Sequence, residues 1–397
     1  MQNQILEGFR LSPQQKRLWS LQEDSSAYFA YCAIRLEGHL NYDVLKAAVN
    51  NVVNRHEILR TTFHKRPGIK IPIQVIADNS TISWQTIHLS HLSPRQQLGK
   101  IEELFHEEKY FIFNLQEPLL RLSLLVLSEN QHILLVSLPS LCADSWSLKN
   151  LVQEIADTYA LCLKSEELSD EVIQYIQFSE WQNDLLEEED AETGIAYWQQ
   201  QKLSSLPLLI PFQVKPSQQT RFSPEIYTCK FSQNILANVQ EKVILYNTTV
   251  ADFLLSCWQT LLWRLTGESE IVVSTVFNGR KYQELHKSLG LLAKWLPVSC
   301  RFQENFKFSE IVRQTGENLR EIDKWQEYFI WEENADTIDS AVNPVSFEFE
   351  NWSDKYNAGG ISFSLIKQYV CFDRFTVKLS CVQTQDLLTA EFQYNPE

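Results

Sequence analysis

The sequence predicts an α/β protein built as two lobes, and three observations predict it. Segments with helical spacing of apolar residues alternate with short apolar or alternating strand patterns in both halves of the chain. At 397 residues the chain is long enough for two domains that each bury a core. Residues 206–222 contain three prolines and little periodicity, so they read as the linker between a lobe over 1–205 and a lobe over 223–397.

Composition narrows the classes. The chain is 44% apolar and 21% charged, the balance of a folded globular protein. A formal net charge of −15 argues against a nucleic-acid groove and against an anionic membrane surface, which both need basic patches. Cysteines stand at 32, 142, 162, 229, 257, 300, 371 and 381 with no CxxC pair and no zinc-ligand spacing, so no metal site is expected. Reduced thiols in a cytoplasmic protein are the plain reading. The N-terminus has no signal-peptide pattern, and no apolar run reaches membrane-spanning length.

The elements follow in order. Ser12 and Pro13 open a helix through Leu21. Ala33–Leu36 reads as a short strand. From Asp43 an amphipathic helix places Val44, Leu45, Ala48, Val49, Val52 and Val53 on one face. Ile73–Ile76 and Thr81–Ile87 are weaker strands, and Ser93-Pro94 opens a helix through about Tyr110. Pro118–Leu127 and His132–Leu138 read as a hairpin. A tight polar turn follows, then a helix opening near Trp146 with Leu148, Leu151, Val152, Ile155 and Tyr159 on one face. Tyr175–Glu189 and Ala196–Gln201 are helical. In the second lobe, strands are expected at Ile226–Phe231, Ile271–Val276, Leu296–Phe302, Val345–Phe349, Ile361–Leu365, Phe372–Val382 and Leu387–Tyr394. Helices are expected near Ile235–Tyr246, at Ser309–Trp325, and at Thr249–Leu265, whose nearly unbroken apolar composition predicts burial all round.

A series of motifs then resembles the condensation domains of nonribosomal peptide synthetases. Leu11-Ser12-Pro13-Gln14-Gln15 with Leu18-Trp19 is similar to the opening motif of that family. Arg55-His56-Glu57 with Leu59-Arg60-Thr61 and Phe63 resembles the second, the most specific match. Glu117-Pro118-Leu119-Leu120-Arg121, then Tyr175, Phe178, Trp181-Gln182 and Tyr197-Trp198, then Asn278-Gly279-Arg280, Gly290 and Leu296-Pro297, and finally Asn343-Pro344-Val345 and Tyr394-Asn395 match in the family's order. The resemblance covers nearly the whole chain. It implies two chloramphenicol-acetyltransferase-like lobes in a V-shaped pseudo-dimer with a central tunnel. It implies carrier proteins and neighbouring synthetase domains as partners, with phosphopantetheine arms supplied by the carriers and no cofactor bound covalently. It also implies an amide-forming acyltransferase of secondary metabolism, and a final helix that this chain lacks.

The central motif departs from the pattern. The family has two histidines, three residues, aspartate and glycine. Alignment on Asp144 puts Pro139 and Ser140 at the histidine positions and Ser145 at the glycine. Ser140 therefore stands where the family handles the amine, yet an alkyl hydroxyl is no base near neutral pH. A positioned base contributes roughly 10²–10⁴ in rate, whereas holding two reactants together supplies effective molarities of about 10⁵ M. Loss of the histidine thus weakens the enzyme reading without removing it. The resemblance makes Asp144 architectural, paired with Arg280. Cys142 is an alternative nucleophile if a helix N-terminus activates it, though a small buried filler is the commoner role. His132 is expected at the solvent end of its strand, His56 in a packing role, and His64, His88, His91, His106 and His286 at the surface.

Trp146, Lys294 and Trp295 are tunnel-lining candidates. The last two stand where the family has small or polar residues, and they either narrow the tunnel or face outward. Two readings follow. One is a non-catalytic module that docks carrier proteins or recruits a tailoring enzyme. The other is an acyltransferase of altered mechanism using proximity, Ser140 and Cys142. The first is favoured by the loss of both histidines.

Overall fold

The computed structural model describes residues 8–22, 27–78, 82–166, 168, 170–189, 191–201, 222–330, 345–352, 355–385 and 387–396. In chain order its elements are α1 (Pro13–Leu21), β1 (Phe29–Glu37), α2 (Tyr42–Arg55), β2 (Thr61–His64), β3 (Ile73–Ile76), β4 (Ser83–His88), α3 (Pro94–Lys109), β5 (Arg121–Ser128), β6 (Gln131–Pro139), α4 (Ser145–Leu163), α5 (Tyr175–Glu187) and α6 (Ala191–Gln200). They continue with β7 (Glu225–Lys230), α7 (Gln233–Tyr246), α8 (Val250–Thr266), β8 (Glu270–Phe277), β9 (Lys294–Arg301), α9 (Phe308–Trp325), β10 (Val345–Asn351), β11 (Lys355–Ala358), β12 (Ile361–Val370), β13 (Val377–Gln383) and β14 (Leu388–Tyr394).

Local chemistry explains where the main helices start and stop. Ser12 and Gln15 form a reciprocal capping box at α1, with Pro13 in the first turn. Asn41 caps α2 through the amides of Asp43 and Val44. The α2 stripe of Leu45, Ala48, Val49, Val52 and Val53 is buried, and each larger member contributes roughly 1.5–3 kcal/mol by leaving water. Asp144 caps α4 by accepting from the Ser147 amide. Thr249 caps α8, and Gly267 ends it at a left-handed φ of 73°.

The chain forms two compact units, and neither is a continuous stretch. The first comprises Met1–Leu185, Arg280–Leu292 and Asp354–Phe372. Its main sheet has the strand order β11-β12-β1-β6-β5-β4. The central strand β1 pairs antiparallel with β6 on one side and β12 on the other. Helix α4 packs on β1, β11 and β12 and against α2. The second unit comprises Leu186–Gly279, Ala293–Ser353 and Asp373–Glu397. Its sheet runs β7-β14-β13-β10-β8-β9, with β10 parallel to both β8 and β13. Leu255, Trp258, Leu262, Ile271, Val298 and Phe347 belong to its core.

Several expectations change. The single division at 206–222 gives way to interleaved segments, because β11 and β12 from late in the chain complete the first sheet through β1. Residues 206–221, Thr81, Asn343 and Pro344 lie outside the described residues. Strand β1 begins at Phe29 instead of Ala33. Helix α8 is not buried all round: Leu255, Trp258 and Leu262 are buried, whereas Leu261 and Leu265 are exposed. Composition shows apolar content, but only one side of α8 meets its sheet. Strand β11, paired antiparallel with β12 across Gly359-Gly360, is absent from the expected strands.

A fragment ending at residue 205 lacks β12, β11 and the 280–292 segment, so it is expected to show no cooperative thermal transition. Circular dichroism of that fragment beside the full chain checks this; a sharp transition would contradict the interleaved architecture.

Candidate functional site

The site is built where β6 ends and α4 begins. Strand β6 runs to Pro139, and Ser140 follows with its amide donating to the Tyr28 carbonyl at 3.3 Å. A turn closes with the Cys142 amide on the Pro139 carbonyl at 2.9 Å. Pro139 through Ser145 are all buried. Gln15 of α1 reaches across and donates to the Leu141 carbonyl at 2.9 Å. The opening motif thus caps its own helix and also props the loop.

Asp144 is the centre. Its Oδ1 accepts from the Ser147 amide at 2.7 Å and from Arg280 Nη2 at 3.1 Å. Its Oδ2 accepts from Arg280 Nη1 at 2.9 Å and from the Leu292 amide at 3.0 Å. Arg280 also donates to the Ser288 carbonyl at 3.0 Å and to Ser147 Oγ at 2.8 Å. The Ser147 hydroxyl lies 2.8 Å from Asp144 Oδ1 and 2.6 Å from the Gly290 carbonyl, so its single proton serves one or the other. The Gly290 amide donates back to it at 3.0 Å. Carboxylate and guanidinium are both buried. A buried pair is tolerable only with its other lone pairs and protons satisfied, and here they are.

The segment 280–292 is therefore clamped on α4 and its neighbours. Tyr175 donates to the Leu291 carbonyl at 2.9 Å and shares a hydrogen bond with Ser12 at 2.7 Å. Gly290 has a φ of 141°, and a Cβ there would collide with the Tyr175 ring. His56, fully buried, meets Glu154 at 2.8 Å, and Arg55 meets the same carboxylate at 2.9 Å. That is the packing and hydrogen-bonding role expected for the second motif.

The candidate chemical groups fare differently. Ser140 is fully buried and its hydroxyl has no hydrogen-bond partner. Cys142 is buried, and desolvation pushes its thiol well above the ordinary thiol range. Ser145 is buried in the first turn of α4, and Trp146 beside it is half-buried with the Lys149 ammonium 5.6 Å from its ring. Lys294 and Trp295 do not face outward. Lys294 is buried in the second unit, where its ammonium donates to the Gln326 and Glu327 carbonyls at 3.1 and 3.3 Å, just past the end of α9. Burial lowers its pKa. Trp295 is buried too, with the Lys378 ammonium 5.6 Å from its ring centre.

His132 corrects another expectation. It is buried, with Nε2 2.8 Å from the Tyr42 hydroxyl, because β6 pairs on both sides up to its first residues. His88, His91, His106 and His286 are exposed as expected, and His64 is half-buried beside Thr62. Sequence reasoning missed Ser147. A serine three residues after a capping aspartate is the available signal, since that residue's amide and hydroxyl both reach the cap. Among the described residues no group of three metal-ligating side chains occurs, and no helix is long and apolar enough to cross a membrane.

Two α/β units, each with a six-stranded mixed sheet and one of them carrying this clamped strand-to-helix loop, define a chloramphenicol-acetyltransferase-like fold. The family model of the condensation domain matches residues 6–397, and the chain belongs to that family. Bacitracin synthase 2 of Bacillus licheniformis is 26% identical over 97% of the chain. Gramicidin S synthase 2 of Brevibacillus brevis is likewise 26% identical over 97%. The chain spans only 15% and 9% of the length of these two synthetases. Among solved structures, the condensation domain of the monacolin K polyketide synthase MokA superposes with a TM-score of 0.83 at 17% identity, covering 99% of this chain and 93% of that one. The X-domain from teicoplanin biosynthesis, solved in complex with OxyB, superposes with a TM-score of 0.76 at 20% identity, covering 100% and 91%.

Two outcomes are expected from this geometry. Asp144→Ala or Arg280→Ala leaves one buried charge without its partner and costs about 3–5 kcal/mol, read by urea denaturation; a loss below about 1 kcal/mol would contradict the clamp. Burial lowers the His132 pKa below its ordinary 6.5. The unfolded chain then binds the proton more readily, so stability falls as pH drops below about 6.5 and until the folded-state pKa is passed. His132→Gln is expected to flatten that part of the stability–pH curve.

Proposed function

We propose that this chain is a condensation-family domain that has lost the motif histidines. In this reading it serves as a carrier-protein-docking or recruitment module with little or no classical peptide-bond formation. One observation supports the reading: the loop from Pro139 to Ser145 holds no histidine, and its one carboxylate is engaged in the clamp with Arg280. Asp144 accepts from amide and guanidinium donors on both oxygens. The Cys142 thiol is held protonated by burial. Ser140 offers only an alkyl hydroxyl. The architecture around the loop is intact, which is what docking or recruitment needs. The X-domain solved with OxyB is a protein of this fold that holds another enzyme, and it supports recruitment of a tailoring enzyme as one form of the role. Carrier proteins would bring their own phosphopantetheine arms; the chain's part is to receive them.

A second reading has its own observation. The Ser140 hydroxyl is buried at the position of the motif histidine and has no hydrogen-bond partner, so its hydrogen-bonding capacity is unused by the fold. An amide-forming acyltransferase that relies on proximity, with Ser140 as its positioning group, follows from that.

The test uses donor and acceptor carrier proteins loaded with thioester and amine, with the products read by intact mass. The expected result is carrier binding without amide. Amide formed by the wild type and abolished by Ser140→Ala or Cys142→Ala would overturn the module reading.

A further inference from the structure

The loop joining β2 to β3 differs in charge from the chain around it. Residues 58–77 carry Arg60, Lys65, Arg66 and Lys70 and no Asp or Glu, although the whole chain has 50 acidic side chains against 35 Lys and Arg. Every residue from Lys65 to Ile71 is exposed. Two of them are large and apolar: Ile69 is 52% exposed and Ile71 is 39% exposed. The turn itself needs neither the cations nor the isoleucines. Pro67 and Gly68 make it, with Gly68 at a φ of 81° and the Ile69 amide donating to the Arg66 carbonyl at 3.1 Å.

The base of this hairpin is firmly held. Strands β2 and β3 pair over Thr61–His64 and Ile73–Ile76. On one side the Phe63 amide donates to the Leu115 carbonyl at 2.8 Å, and on the other Gln74 and Phe9 exchange backbone hydrogen bonds at 2.9 Å. The Gln74 side chain accepts from Gln15, the residue that props the loop after β6. Nearer the tip, the Lys65 ammonium lies 5.3 Å from the ring of Trp19 in α1. Lys70 makes no ion pair among the described residues. A tip on a fixed base binds with less ordering cost than a loose loop.

Charge selects the occupant. Three cations around two isoleucines match carboxylates set around apolar side chains, the way acidic motifs meet basic clusters. An anionic bilayer or a nucleic acid is a poorer match, because such an extended surface meets the whole chain and its net charge of −15. A peptide segment meets the tip alone, within a screening length of about 8 Å.

We propose that the β2–β3 tip, with Lys65, Arg66, Ile69, Lys70 and Ile71, docks an acidic segment of a partner protein that carries apolar side chains among its carboxylates. This rests on the reading of the chain as a docking or recruitment module, and it adds the chemistry of the partner.

The test follows the anisotropy of a fluorescent peptide of Asp-Glu-Leu repeats, beside one with Lys for both acids and one with Ser for Leu. The acidic apolar peptide is expected to bind at micromolar concentration and to weaken as salt is raised. Lys65→Glu/Lys70→Glu is expected to weaken it about tenfold, because two attractions become repulsions. Ile69→Ser/Ile71→Ser is expected to weaken it several-fold and to remove the preference over the serine peptide. All four positions are exposed, so thermal unfolding of both variants is expected to match the wild type. Acidic-peptide binding unchanged in Lys65→Glu/Lys70→Glu, equal binding of the lysine peptide, or no binding at millimolar concentration would overturn the proposal. Tighter binding to phosphatidylserine vesicles, lost in the same variant, would overturn it in favour of a membrane. Carrier-protein binding is measured in parallel. Carrier bound without the acidic peptide removes the tip proposal alone; peptide bound at the tip without carrier keeps the tip and removes carrier docking.

Discussion

The buried contact between Asp144 and Arg280 ties the loop after β6, the start of α4 and the segment 280–292 together. The carboxylate ends β6's loop, caps α4 and faces a guanidinium that arrives from 136 residues later in the chain. Once that charge is buried, every oxygen and every N–H around it must be matched. The matching is done mostly by backbone, through the amides of Ser147 and Leu292 and the carbonyl of Ser288, together with the Ser147 hydroxyl. The ion pair therefore positions main chain. It decides where the segment 280–292 lies, and Gly290 then has to be a glycine because Tyr175 occupies the space where a Cβ would go.

The same contact separates architecture from chemistry. Asp144 accepts on both oxygens from the Ser147 and Leu292 amides and from Arg280, so this carboxylate holds the shape of the loop. The thiol at Cys142 tells a parallel story: burial makes it good packing and a poor nucleophile. An orphan hydroxyl at Ser140 is the one feature of the loop that packing leaves unexplained. Polar groups recur in the second unit's sheet, where Lys378 and Glu348 are buried as a pair. In both places, polar side chains are kept where apolar ones would pack without cost.

Much of this was readable beforehand because the relevant forces are local. The helix start at Ser12 follows from a side-chain oxygen that satisfies a first-turn amide, whereas the caps at Asn41 and Asp144 emerge only with the structure. The stripe on α2 follows from 3.6-residue periodicity, and the strand before the loop from its apolar run. The pairing of Asp144 with Arg280 was reached through family resemblance and not through spacing, since no local signal joins residues that far apart. What failed were judgements about environment. His132 looked terminal because it follows a turn, but β1, β5 and Tyr42 surround it. Of the two placements open to Lys294, burial removes the outward-facing one: its ammonium serves the carbonyls past α9.

The sequence by itself determined the family, the α/β class, most helix boundaries and the absence of histidine from the loop, because each depends on residue identity or on neighbours within a turn or two. Tertiary structure alone decided how the units are composed. Strands β11 and β12 return to complete the first sheet because open backbone hydrogen bonds on β1 need a partner, and a partner's distance in sequence leaves no trace in periodicity. It also decided which polar groups are satisfied. Ser147 became a junction and Ser140 an orphan through their surroundings, and two serines seven residues apart carry no sign of that difference in their sequence.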